Sequence, residues 1–258
     1  MFRELIQYRN LLWMLTWRDV KIRYKQTVMG FLWAIFMPML IVSAGLLVKK
    51  GFSIVSGKPM DMSEIASVSV KSLPYSFFIA SIRFATNSLI SNTNLVTKIY
   101  FPREVFPVAA VLANLFDFLL ASVLLAVILA VAGFQVDAHI LWVPLLVLLL
   151  ILFTTALGLM LACANLFFRD VKYIVEVLVT FAIFFTPVFY DASLFGKWAP
   201  ILLLTPVGAI LESINNVVIL HRPPDAFWLL YSSLWSVGGL FLFWSMFHKL
   251  EFLFAEKI

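Results

Sequence analysis

The stretch VFPVAAVLANLFDFLLASVLLAVILAVAG, residues 105–133, contains one acidic residue and no basic one. At 1.5 Å per residue, about 20 apolar residues in a helix span the ~30 Å hydrocarbon layer of a bilayer. Comparable runs recur at residues 28–48, 65–89, 141–167, 174–189 and 227–247. Hydrophobic residues make up 63% of the 258-residue chain and charged residues 13%. Soluble domains stand nearer half and a quarter. The ten-residue alternation of a membrane β-barrel is missing. The sequence therefore predicts an all-α integral membrane protein with six transmembrane helices.

The basic residues set the orientation. With both termini cytoplasmic, inside segments carry twelve Lys and Arg and outside segments five, the asymmetry that the positive-inside rule demands. The net charge of +5 is thus a topology signal, and nucleic acid is not an expected partner. Residues 1–26 read as an amphipathic cytoplasmic interface helix, followed by a six-span domain over 27–258. At 100° per residue, Phe2, Ile6, Trp13, Trp17, Val20 and Tyr24 share one arc, with Arg3, Gln7, Arg18, Lys21 and Lys25 roughly opposite. Such a helix lies in the headgroup plane. No short apolar segment with a cleavage site marks a secretory signal there. Cys163, the single cysteine, sits in an apolar run and reads as a small buried hydrophobe.

The second run carries Lys71, Arg83 and many hydroxyl side chains. A cation at mid-membrane depth is costly and faces protein or water, so this helix is expected to face a cavity. The loop 91–104 mixes apolar anchors with charges: Asn94, Leu95, Lys98, Tyr100, Phe101, Arg103 and Glu104 suit a short helix docked in a partner's groove. Residues 190–225 are apolar but broken by Thr205-Pro206-Val207-Gly208. Two short helices re-entering from the periplasmic side, forming a gate region, fit better than a crossing.

Chemistry is sparse. The nearest approach to a phosphate loop, GFSIVSGKP, has one residue too many between its glycines and Pro where Ser or Thr must hold Mg²⁺. His139, His221 and His248 are far apart, and no zinc or serine-hydrolase motif occurs. The expectation is a chain with no catalytic residues, no bound metal and no cofactor of its own; if it pumps, its motor is another chain.

Six segments carry a family likeness: WRDVKIRYKQTVMGFLW, LPYSFF, NSLISNTNLVTKIYFPREVFP, FFRDVKY, TPVFY and TPVGAILE. In them the chain resembles the membrane subunit of bacterial ABC exporters for polysaccharides (O-antigen, capsule, teichoic acid). The resemblance implies an inner-membrane homodimer with two copies of a separate ABC ATPase, which binds ATP and Mg²⁺. It implies a coupling helix between spans two and three, and a canal for a lipid-linked polysaccharide. By the same likeness Arg18, Lys21, Arg23 and Lys25 lie at the cytoplasmic gate, beside the diphosphate of a lipid carrier. Trp33, Phe36, Lys71, Tyr75, Arg83, Phe184, Phe185, Phe189 and Tyr190 fall on the spans that line the canal. Aromatic faces there stack on sugar C–H faces without fixing a register, and Tyr and Trp suit a half-wet lining.

The chain departs from the family pattern in span two. LPY stands where LPW is usual, and Lys71 and Arg83 replace apolar or small residues. Either these cations line the canal and favour an acidic glycan or carrier phosphate, or they pair with Glu64, Asp117 or Glu212. The competing function is a permease of the same architecture for a small drug, lipid or haem. A membrane-bound transferase and a passive channel are further alternatives.

Overall fold

The computed structural model describes residues 7–25, 30, 32–57, 61–98 and 101–254, and among these there are helices and turns but no strand. Ten α-helices follow in order. They are α1 (Arg9–Tyr24), α2 (Leu32–Ser56), α3 (Met62–Ser91), α4 (Thr93–Lys98), α5 (Val105–Val131), α6 (Val143–Phe167), α7 (Val171–Phe185), α8 (Ala199–Leu203), α9 (Pro206–Val218) and α10 (Ala226–Leu250). Short 3-10 turns at Ala138–Trp142, Ala192–Trp198 and Glu251–Leu253 lead into α6, into α8 and out of α10.

The helix starts are written in the sequence. Asp61, Thr205 and Asp225 are N-caps whose side chains accept backbone N–H groups, and Pro206 opens α9 where its missing N–H costs nothing. Five segments are long and apolar enough to cross a membrane: 32–51, Met62–Ser91, Val105–Val131, Ala138–Phe167 and Ala226–Leu250. The run expected as the fifth span forms the 15-residue α7. It stops at Phe185 because Pro187 follows, and the residue before a proline, Thr186, is held extended at φ −107° and ψ 136°. The first run, read as ending at residue 48, continues as helix through Lys49 and Lys50 to Ser56 in α2. Helix persists there because Lys49 is buried against acids, 3.9 Å from Glu64 and 3.8 Å from Asp191.

α3 is the hub, packed against α2, α5, α6, α7 and α9. Two-thirds of its apolar window is buried (67%), against 17% for α2 and 22% for α10. Part of its polarity is absorbed within the helix itself. Ser69, Ser76, Thr86 and Ser88 return their hydroxyls to carbonyls three or four residues back, at 2.7–2.9 Å. This satisfies each group inside its own helix. Close crossing with α6 needs Gly158, where an added Cβ would lie 2.9 Å from that of Ala85.

α1 lies along α5 and buries Leu15, Thr16 and Val20. Trp13 and Trp17, placed by periodicity on the same arc as Val20, are exposed and stacked at 6.2 Å. The 16-residue helix thus sets Leu15 and Val20 against protein and its tryptophans outward, as an interfacial helix does.

Candidate functional site

Charged and aromatic residues gather at three levels along α3. At its Asn92 end the chain turns directly into α4. Asn92 donates to the Ser88 carbonyl at 2.8 Å and accepts from Arg18 at 2.9 Å, and Arg18 also holds Asp19 at 2.8 Å. α1, α3 and α4 therefore meet at one side chain. Arg23 pairs with Asp117 of α5, donates to Asn114 at 3.1 Å and lies over the Phe84 ring at 4.5 Å. Tyr24 also donates to Asp117. Lys21 sits 5.7 Å over the Trp17 ring, and Lys21 and Lys25 are exposed.

In the loop expected to dock a partner, Asn94 is exposed, Leu95 half-buried and Phe101 buried. Arg103 binds the Glu251 carbonyl, and its backbone N–H donates to the Glu251 carboxylate at 3.1 Å. Glu104 is fully buried. The Lys98 side chain and Tyr100 lie outside the described residues.

In the last third of α3, short of Asn92, a groove of about 310 Å³ opens between α3 and α7, lined by Arg83, Thr86, Asn87, Lys172, Tyr173, Val175 and Glu176. Asn165 of α6, fully buried, ties its two walls together. It donates to the Thr86 carbonyl at 2.9 Å and accepts the Lys172 N–H at 3.1 Å, which fixes the first turn of α7 against α3. Arg83 crosses the groove to Glu176 at 2.9 Å and Thr180 at 3.3 Å. Both members of the pair are largely exposed (42% and 57%), so water screens it and it contributes ~1 kcal/mol or less. Lys172 rests 4.7 Å from the Tyr173 ring, which is itself exposed. The arrangement offers two cations, one carboxylate, an amide and a flat ring to anything that enters.

At the third level, towards Asp61, Lys71 has no exposed surface. Its ammonium donates to Asp191 at 2.7 Å and to the Tyr190 carbonyl at 2.8 Å, with Glu212 at 3.6 Å. Ser67 adds a bond to Asp191 at 3.3 Å. Burial pushes the Asp191 carboxyl up, but Lys71 and then Lys49 outweigh it and hold the group below its ordinary range. Four segments converge here: α2 through Lys49, α3, the turn after α7, and α9 through Glu212.

Of the acids weighed in sequence as partners for span two, Glu212 meets Lys71, Glu64 faces Lys49, and Asp117 belongs to Arg23. Asp191 and Glu176, the nearest partners of Lys71 and Arg83, were not singled out in sequence. Each lies beyond α4, α5 and α6 along the chain, and spacing carried no signal for either.

The aromatics expected to line a canal divide. Trp33, Phe36, Phe184 and Phe185 are exposed on α2 and α7, with Trp33 and Phe36 edge-on at 5.6 Å. Tyr75 is fully buried, and Phe189 packs into the core, where a Cβ at Gly45 would meet its ring at 2.5 Å. Tyr190 is half-buried, 5.1 Å from the Phe195 ring, and donates to the Phe184 carbonyl at 2.8 Å.

A polytopic helical chain with a short helix at one end of its hub and broken helices at the other has the anatomy of a transporter membrane subunit. The family profile described as ABC-2 type transporter matches residues 10–218, and the chain belongs to that family. It is similar to the O-antigen export system permease protein RfbA of Myxococcus xanthus, 33% identical over 99% of this chain and 98% of that protein. The protein of the same name from Klebsiella pneumoniae is 27% identical over 96% and 94% of the two chains.

Proposed function

We propose that the chain is the membrane-spanning permease of an ATP-driven polysaccharide exporter, carrying a lipid-linked O-antigen-type glycan outward across the cytoplasmic membrane. The observation that carries this reading is similarity along almost the whole length to O-antigen export permeases. The chain works as a homodimer with two copies of a separate ATPase, which alone binds ATP and Mg²⁺. Both termini lie in the cytoplasm, and α7 with the broken segment after it completes a sixth crossing.

The geometry suggests how force travels. α4 is the short helix on which the ATPase pushes. It follows α3 after the single residue Asn92, and α3 is one 30-residue helix about 45 Å long. Lys71, near its other end, grips the turn that carries Tyr190 and Asp191. A displacement of α4 is therefore delivered, through a stiff rod and a buried ion pair, to the helices that gate the outer mouth. The exposed aromatics of α2 and α7 form a sliding surface for sugar rings. Arg83 and Lys172 draw anionic sugars or the carrier diphosphate into the groove. Arg18, Lys21, Arg23 and Lys25 flank its cytoplasmic approach.

Depleting the protein in its native cell tests the reading. Finished lipid-linked polymer is expected to accumulate on the cytoplasmic face of the inner membrane while surface glycan falls. Undiminished surface glycan, with nothing trapped inside, overturns it and turns attention to a small-substrate permease.

A further inference from the structure

The loop after α4 and the end of α10 are distant in sequence, yet three of their side chains converge. Glu104, His248 and Glu251 each direct a ligand atom into one space, and these atoms lie within 4.8 Å of one another. Glu104 is the N-cap of α5, but its side chain makes no cap bond. It is fully buried, and neither carboxylate oxygen has a hydrogen-bond partner. Glu251 lies beside it, so two carboxylates share this space. Arg103 does not resolve the conflict. Its guanidinium is spent on the Glu251 backbone carbonyl and faces the Phe254 ring at 5.8 Å.

A buried carboxylate beside a second one needs a compensating positive charge. The surroundings favour a cation for another reason. His248 lies in the last turn of α10 and Glu251 is its C-cap, so the site sits at the negative end of the helix dipole. Two carboxylates and one imidazole form a mixed oxygen–nitrogen set. That set suits zinc-like ions, whereas Ca²⁺ and Mg²⁺ prefer oxygen alone. The His248 Nδ1 already lies 3.4 Å from the Glu251 carboxylate, and with the ring half-exposed (48%) a water can complete four-coordination.

We propose that Glu104, His248 and Glu251 form a binding site for a divalent transition-metal ion of the Zn²⁺ class, fastening the loop before α5 to the end of α10. Sequence spacing concealed the site, because only the His248–Glu251 pair is local and the third ligand comes from more than 140 residues away. The ion pins the loop that follows α4, so that α4 presses against an anchored support. The binding claim stands apart from the export reading, since it is measured without transport.

The test uses the full chain, purified in detergent through a tag without histidine and dialysed against radioactive Zn²⁺ at micromolar free concentration. One ion per chain is expected. Glu104→Gln and His248→Asn should each weaken binding at least tenfold, and the zinc X-ray absorption edge of the wild type should carry one imidazole. His248 is on the surface, so His248→Asn is expected to fold even if Glu104→Gln does not. Absence of saturable binding in the wild type overturns the proposal, as does equal affinity in a folded His248→Asn protein.

Discussion

Replacing Lys71 with Met removes the only fully buried cation among the described residues that grips the segment after α7. Lys71→Met deletes bonds of 2.7 Å to Asp191 and 2.8 Å to the Tyr190 carbonyl. It also leaves Glu212, whose buried Oε2 already lacks a hydrogen-bond partner, without its nearest cation. Breaking a buried pair from one side costs about 3–5 kcal/mol. The lower end applies here, because Asp191 is about a third exposed (32%) and water takes up part of its orphaned charge. The expected loss is about 3 kcal/mol, read as the shift in a denaturation titration of the protein in mixed micelles. The triple variant Lys71→Met, Asp191→Asn, Glu212→Gln should recover at least half of that loss. Neutralising the acids removes the stranded charges, and a well-packed apolar replacement of a whole buried ion cluster is often neutral. If Lys71→Met lies within about 0.5 kcal/mol of wild type, or the triple variant is no better than the single, the cluster is not an electrostatic clasp.

Further outcomes follow from the same geometry. Asp191 has a folded pKa below its unfolded value of about 3.9, so its contribution is complete above about pH 5 and vanishes as pH falls through the folded pKa. The stability difference between wild type and Asp191→Asn should therefore stay flat from pH 7 to 5 and shrink below about pH 4. Arg83→Gln should slow export of an acidic glycan several-fold while sparing a neutral one, with stability changed by less than about 1 kcal/mol; equal export of both glycans counts against a charge-reading groove. Gly158→Val should destabilise by about 1–3 kcal/mol through overpacking against Ala85, and Gly133→Val, at an open turn with φ 84°, should act through backbone strain instead.

How much of this was legible follows from what each scale of the sequence encodes. Apolar runs fix helices, so α2, α3, α5, α6 and α10 could be read directly. Caps and prolines fix starts and stops, which is why the break at Thr205 was visible. The shortness of α7 was also readable, had Pro187 been given more weight than hydropathy. Lys49 shows the limit. By composition it closes a span, and only the folded neighbours Glu64 and Asp191 explain why helix continues past it. Pairings such as Lys71 with Asp191, Arg83 with Glu176 and Arg23 with Asp117 join residues 93 to 120 positions apart. Nothing local specifies them, since each depends on which helix faces which. The trio around Glu104 was invisible for the same reason.

The position of α3 bears on how the molecule is made. It is the most enclosed of the long helices and among the least hydrophobic, with a mean hydropathy of 1.3 against 2.0 for residues 32–51 and 2.4 for α5. Lys71 and Arg83 each add about 2.5–3.5 kcal/mol to the cost of entering lipid alone. A nascent chain that has produced only α2 and α3 thus holds a segment poorly suited to leave the translocon unaided. Stable integration must await α5 and α6, whose apolar faces shelter it, so the central rod of the finished transporter is among the last of the early helices to settle. Ribosome-stalled chains ending before residue 130 should leave α3 extractable, whereas those reaching Phe167 should not.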